Sequence, residues 1–108
     1  MIKKLATTKK SKQIFENLAQ ALTSLNTLQE AKAFLSDILT KKEIDEISKR
    51  LEAAKMLYTG VSYAEIASKL GLSSTTVARI SRCLHGSARG YKTLIEKEWI
   101  LQKLLKTN

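Results

Sequence analysis

The chain has 108 residues, with 19 Lys and Arg against 10 Asp and Glu. The resulting +9 sits on a length that suits about one domain, which excludes a multidomain enzyme. Apolar residues make up 44% and aromatics 6%, with no proline and four glycines, the balance of a compact helical domain and not of a disordered basic tail. The apolar runs fall far short of the ~20 residues that cross a bilayer, and no apolar stretch follows the basic N-terminus as it would in a secretory leader. A cytoplasmic location without membrane contact is expected. One cysteine, Cys83, and one histidine, His85, cannot supply the about four ligands of a structural zinc site. No paired acid, base or nucleophile stands out elsewhere, so neither metal, cofactor nor catalysis is expected.

In chain order, Lys3, Lys4, Lys9, Lys10 and Lys12 precede the first acid, Glu16. With little apolar content among them, residues 1–12 read as a flexible basic arm ahead of a single helical domain over 13–108. Ile14, Phe15, Leu18, Leu22 and Leu25 then recur at three- and four-residue steps and define a first helix. Three later helix starts carry a side-chain oxygen followed three residues on by glutamate, the capping-box arrangement: Thr27 with Glu30, Thr40 with Glu43, and Ser62 with Glu65. The second helix presents Leu28, Ala31, Phe34, Leu35 and Ile38. A third presents Ile44, Ile47, Leu51, Ala54 and Tyr58, and Gly60 ends it in left-handed geometry. Its acids alternate with Lys42, Lys49, Arg50 and Lys55, the pattern of a solvated, paired face. Tyr63 to Leu70 is a fourth helix, Gly71 and Leu72 a tight turn, and Ser73 opens a fifth helix to Leu84 or His85. Gly86 and Gly90 bracket a break. The last helix, from about Tyr91 to Leu105, includes Trp99 as a core or interface anchor. The fold class is therefore all-α, with about six helices.

Residues 62–84 read as a helix-turn-helix. Ile66 and Leu70 point inward from its first helix, Ala67 is small where the second helix crosses, Gly71 makes the turn, Leu72 plugs the corner, and Val77 and Ile80 return to the same core. The opposite face of the second helix carries Ser73, Ser74, Thr75, Thr76 and Ala78, short enough to enter a major groove, followed by Arg79 and Arg82. Lys69, His85 and Arg89 flank it as phosphate contacts. No acid occurs between Glu65 and Glu96. A tightly crossed helix pair in an ordinary bundle, or one that docks on an acidic protein partner, has the same Ala-Gly-Val pattern. The acid-free cationic stretch over the same residues favours double-stranded DNA.

Leu39-Thr40-x-x-Glu43, the helix ending at Gly60, the Gly71-centred pair and the Trp99-bearing last helix resemble the Trp repressor superfamily, and within it the YerC/YecD branch, over about residues 10–106. The resemblance implies an intertwined homodimer whose helices complete each other's core, and a DNA-binding transcription regulator, a repressor, with Ser74, Thr75 and Ala78 nearest the bases. It also implies an effector pocket. Members that sense tryptophan hold the indole between two arginines, matched here by Arg50 and Arg79 with Thr40 and Thr76 close by. Ile80 stands where those members have glycine, and Cys83 where they have a serine that helps to hold the ligand. An isoleucine in that space argues against tryptophan and leaves a smaller, unidentified effector as the alternative. Cys83 itself reads as a small packing residue, with a redox role as the sharper alternative.

Overall fold

The computed structural model describes residues 8–106. Six helices account for its secondary structure, with no strand among the described residues: α1 (Lys9–Thr23), α2 (Leu28–Ile38), α3 (Lys41–Tyr58), α4 (Tyr63–Leu70), α5 (Ser74–Leu84) and α6 (Gly90–Lys106). None is long and apolar enough to cross a membrane. The all-α class and the helix count follow the sequence reading; the first boundary does not. Thr8 is extended and its hydroxyl accepts the Ser11 N–H at 3.1 Å, so α1 starts at Lys9 and not after residue 12. Three of the five lysines assigned to the basic arm, Lys9, Lys10 and Lys12, are therefore helical. Lys3, Lys4 and the rest of residues 1–7 lie outside the described residues.

The chain divides into two compact units, Met1–Lys41 and Lys42–Asn108. In the first unit, α1 and α2 have the expected apolar spacing, yet neither buries a residue. Ile14, Phe15, Leu22, Leu28 and Ile38 are all exposed. The turn between these helices is fixed by local polar bonds. The Thr27 hydroxyl accepts the Glu30 N–H at 3.1 Å, and the Glu30 carboxylate accepts the Asn26 N–H at 2.9 Å, one residue before the donor that a standard capping box uses.

The second unit holds the core: Ala53 and Ala54 of α3, Ile66 of α4, Val77, Ile80 and Leu84 of α5, and Ile95 of α6. Two adjacent alanines at zero exposure give α3 a flat, small surface on which larger side chains rest. Gly60 and Gly71 take the left-handed values expected of them, φ 90° and 66°. The third left-handed residue is Arg89, at φ 58°, and not a glycine. Its carbonyl accepts the Thr93 N–H at 3.0 Å, which makes Arg89 the residue from which α6 springs.

Trp99 is not a core residue within the chain. It is 52% exposed, and its ring meets Tyr58 edge-on at a centroid distance of 6.0 Å. Beside it, Lys55 pairs with Glu98 at 3.1 Å and the Tyr58 hydroxyl donates to Glu96 at 2.9 Å. The α3–α6 contact is thus apolar at Ile95 and polar at its margin. Beyond Trp99, Ile100, Leu101, Leu104 and Leu105 are all exposed.

Candidate nucleic-acid interface

The helix pair α4–α5 is built as the sequence suggests, with one helix face closed and one open. On α5, Val77, Ile80, Ser81 and Leu84 are buried, whereas Ser74, Thr75, Arg79 and Arg82 are exposed and Ala78 is half-buried. Gly71 caps α4, its N–H donating to the Ala67 carbonyl, and Leu72 repeats that bond at 3.1 Å. This tight reversal turns the chain straight into α5.

Ser73 is the N-cap of α5. Its hydroxyl accepts the Thr76 N–H at 3.1 Å and donates to the Thr76 hydroxyl at 2.8 Å. Both hydroxyls are occupied within the helix terminus, which makes Ser73 and Thr76 shapers of the interface and leaves Ser74 and Thr75 as the hydroxyls that project from the open first turn. The cations also sort into two groups. Lys69 pairs with Glu65 at 3.6 Å along α4, and Arg89 approaches Glu96 at 3.8 Å. Neither Arg79 nor Arg82 has a carboxylate partner among the described residues. His85 is the exposed C-cap of α5, its N–H donating to the Ser81 carbonyl at 3.1 Å.

Of the residues assigned to an effector pocket, Arg50, Arg79, Ile80 and Cys83 surround one cavity of about 90 Å³, together with Thr76 and Tyr91. Ile80 is 3% exposed and belongs to the core, so its side chain fills space and does not lean over an open site. Thr40 belongs to the first unit. Cys83 is exposed and does not pack as expected. It faces this cavity and a larger apolar one of about 490 Å³, walled also by Ile47, Leu51 and Leu94. Tyr91 is common to both. Burial pushes its phenol above the ordinary 10.0; a Cys83 thiolate adds to the rise and Arg50 opposes it. Nothing in the sequence marks Tyr91, because it reaches the cavity only through the Gly86–Gly90 turn.

On α3, Asp45 and Lys49 pair at 3.2 Å, as the alternating charges suggest. A polar groove of about 450 Å³ lies between Lys42, Asp45, Glu46 and Lys49 on one side and Gly71, Leu72 and Ser73 on the other.

The chain is similar to YerC of Bacillus subtilis (strain 168), an uncharacterized protein, at 33% identity over 76% of this chain and 79% of that one. It is 35% identical to a Trp operon repressor homolog of Xylella fastidiosa (strain M23), over 62% of this chain and 74% of that one. A crystal structure of a TrpR-like protein from Eubacterium eligens ATCC 27750 matches with a TM-score of 0.70 and 37% identity, covering 87% of this chain and 93% of that one. The Trp repressor protein family pattern matches residues 12–99, which takes in every described helix from α2 to α5 and most of α1 and α6. The chain belongs to the Trp repressor family.

Proposed function

We propose that the protein is a sequence-specific regulator of transcription, a repressor, that binds double-stranded DNA as a homodimer through α5. One observation carries the reading. The face of α5 opposite Val77, Ile80 and Leu84 presents two small hydroxyl residues and then two arginines with no carboxylate partner among the described residues. Hydroxyls and short side chains suit base edges in a major groove, and guanidinium groups suit the flanking phosphates. A two-fold dimer sets a pair of such helices ~34 Å apart, one helical turn of DNA. The exposed apolar residues of α1, α2 and the end of α6 support the dimer, since two copies can cover what one leaves in water. Lys69 and Arg89 are secondary contacts in this reading, because binding must first loosen Glu65 and Glu96. His85 adds a contact near the end of α5.

Binding without tryptophan belongs to the same proposal. The cavity lined by Arg50 and Arg79 is small, about 90 Å³, and the branched side chain of Ile80 takes up space beside it, which supports a reading without tryptophan. Any effector taken there is smaller.

The test is a titration on duplexes selected from genomic fragments, across a range of salt. Each protomer of the dimer contributes one Arg82, so Arg82→Ala removes two phosphate contacts and lowers the salt slope by about 1.8. Arg79→Ala acts alike. Unchanged affinity and slope in both variants would refute the assignment of this face, and no binding at low salt would point to a protein partner instead.

A further inference from the structure

Ser81 is the one buried polar side chain among the described residues. It sits on α5 between the core residues Ile80 and Leu84, where a hydroxyl without a partner would be costly. The partner comes from the other helix: the Tyr63 phenol donates to the Ser81 hydroxyl at 2.6 Å, across 18 positions of sequence. Tyr63 is the first residue of α4 and so the residue of that helix farthest from the Gly71 turn. The pair is therefore closed at one end by the turn and at the other by this hydrogen bond.

We infer that Tyr63 is a positioning residue for the DNA-reading helix: its bond to Ser81 fixes the rotation of α5 about its own axis and thereby the discrimination of specific from random DNA. The apolar contacts of Val77, Ile80 and Leu84 hold α5 against the core but are not directional. A hydrogen bond at 2.6 Å is directional in both distance and angle. At 100° per residue, Thr75, Ala78, Arg79 and Arg82 lie within about 60–160° around the axis from Ser81, so they turn with it. With side-chain tips about 6 Å from the axis, a 20° rotation moves them about 2 Å, enough to break hydrogen bonds to base edges. Contacts to phosphates, made by long flexible cations, tolerate the same shift.

The inference rests on the DNA-binding reading, and its test separates the two. Tyr63 is 47% exposed, so Tyr63→Phe keeps the ring and loses only the hydroxyl. Ser81→Ala loses the other half. Wild type, both variants and the double variant are titrated on a selected site and on a random duplex of equal length. The expected result is a loss of roughly 10-fold on the selected site for each variant, with no further loss in the double variant. Affinity for the random duplex and the salt slope on it stay as in wild type. Equal weakening on both duplexes, or an unchanged ratio of the two affinities, would overturn the inference while leaving the DNA-binding reading intact. A wild-type protein that binds neither duplex at low salt overturns the DNA-binding reading and this inference with it.

Discussion

Phe15→Ala isolates the role of the apolar face of α1. Within one chain Phe15 is 70% exposed and α1 buries no residue, so truncation should alter the stability of the protomer itself by no more than about 0.5 kcal/mol. A homodimer changes that expectation. A phenylalanine side chain carries about 200 Å²; the exposed share is roughly 140 Å², and covering it at 25 cal/mol per Å² contributes about 3.5 kcal/mol for each protomer. Two copies per dimer give about 7 kcal/mol, a roughly hundred-thousand-fold weaker dimer. Sedimentation equilibrium over a wide concentration range measures the dissociation constant directly. Thermal unfolding at several concentrations gives a second reading, since the midpoint of an obligate dimer rises with protein concentration. An unchanged dissociation constant for Phe15→Ala, together with midpoints independent of concentration, would refute the idea that a second copy covers this face.

Two further outcomes concern the second unit. Leu84 is 1% exposed at the end of α5, in a core of seven buried apolar residues; Leu84→Ala should cost about 2–5 kcal/mol, read as a fall in the unfolding midpoint of roughly 10–30 °C, and a loss under about 1 kcal/mol would contradict this core. Above pH 10 the ionisation of Tyr58 should also weaken the fold. The Tyr58 hydroxyl is held above 10.0 first by its bond to Glu96 and then by burial, so the folded chain keeps a proton that the unfolded chain releases. Its stabilising effect is complete below pH 10 and is lost as pH rises through the raised folded value. The stability gap between wild type and Tyr58→Phe should therefore narrow above pH 10 in denaturant titrations, and parallel curves to about pH 11 would contradict the assignment.

The parts of the fold that depend on local chemistry were legible in the sequence. Ser62, Ser73 and Thr27 cap the helices that follow them, and Gly60 and Gly71 take left-handed geometry. Periodicity found the faces but not their fate. Ile47, Leu94 and Trp99 share spacing with Ala54 and Ile95, yet only the last two are buried in a single chain. Spacing records which side chains avoid water, not which chain covers them. The left-handed backbone of Arg89 is hidden for a different reason: Gly86 and Gly90 mark the break in the sequence, whereas the start of α6 requires the turn at the residue before Gly90. Ser81 and Tyr63 are each unremarkable in sequence; only the crossing of α4 and α5 brings their hydroxyls together.

The starts of the helices show why the +9 excess matters more at α5 than its sum implies. Helices α2, α3 and α4 each have a glutamate in the first turn, Glu30, Glu43 and Glu65, which offsets the positive end of the helix dipole. In α5 the same position belongs to Thr76, and no acid lies in its first turn. The cap is made by neutral hydroxyls, Ser73 to Thr76, so the orphan N–H is satisfied without cancelling the dipole. That terminus keeps its attraction for a negative group. It does so on the helix whose exposed face also carries Arg79 and Arg82. A glutamate at residue 76 would cap just as well and would repel a phosphate backbone; α1 has the same neutral hydroxyl cap, Thr8 to Ser11, so it is the cap together with Arg79 and Arg82 on the exposed face that suits α5 to an anion under the DNA-binding proposal.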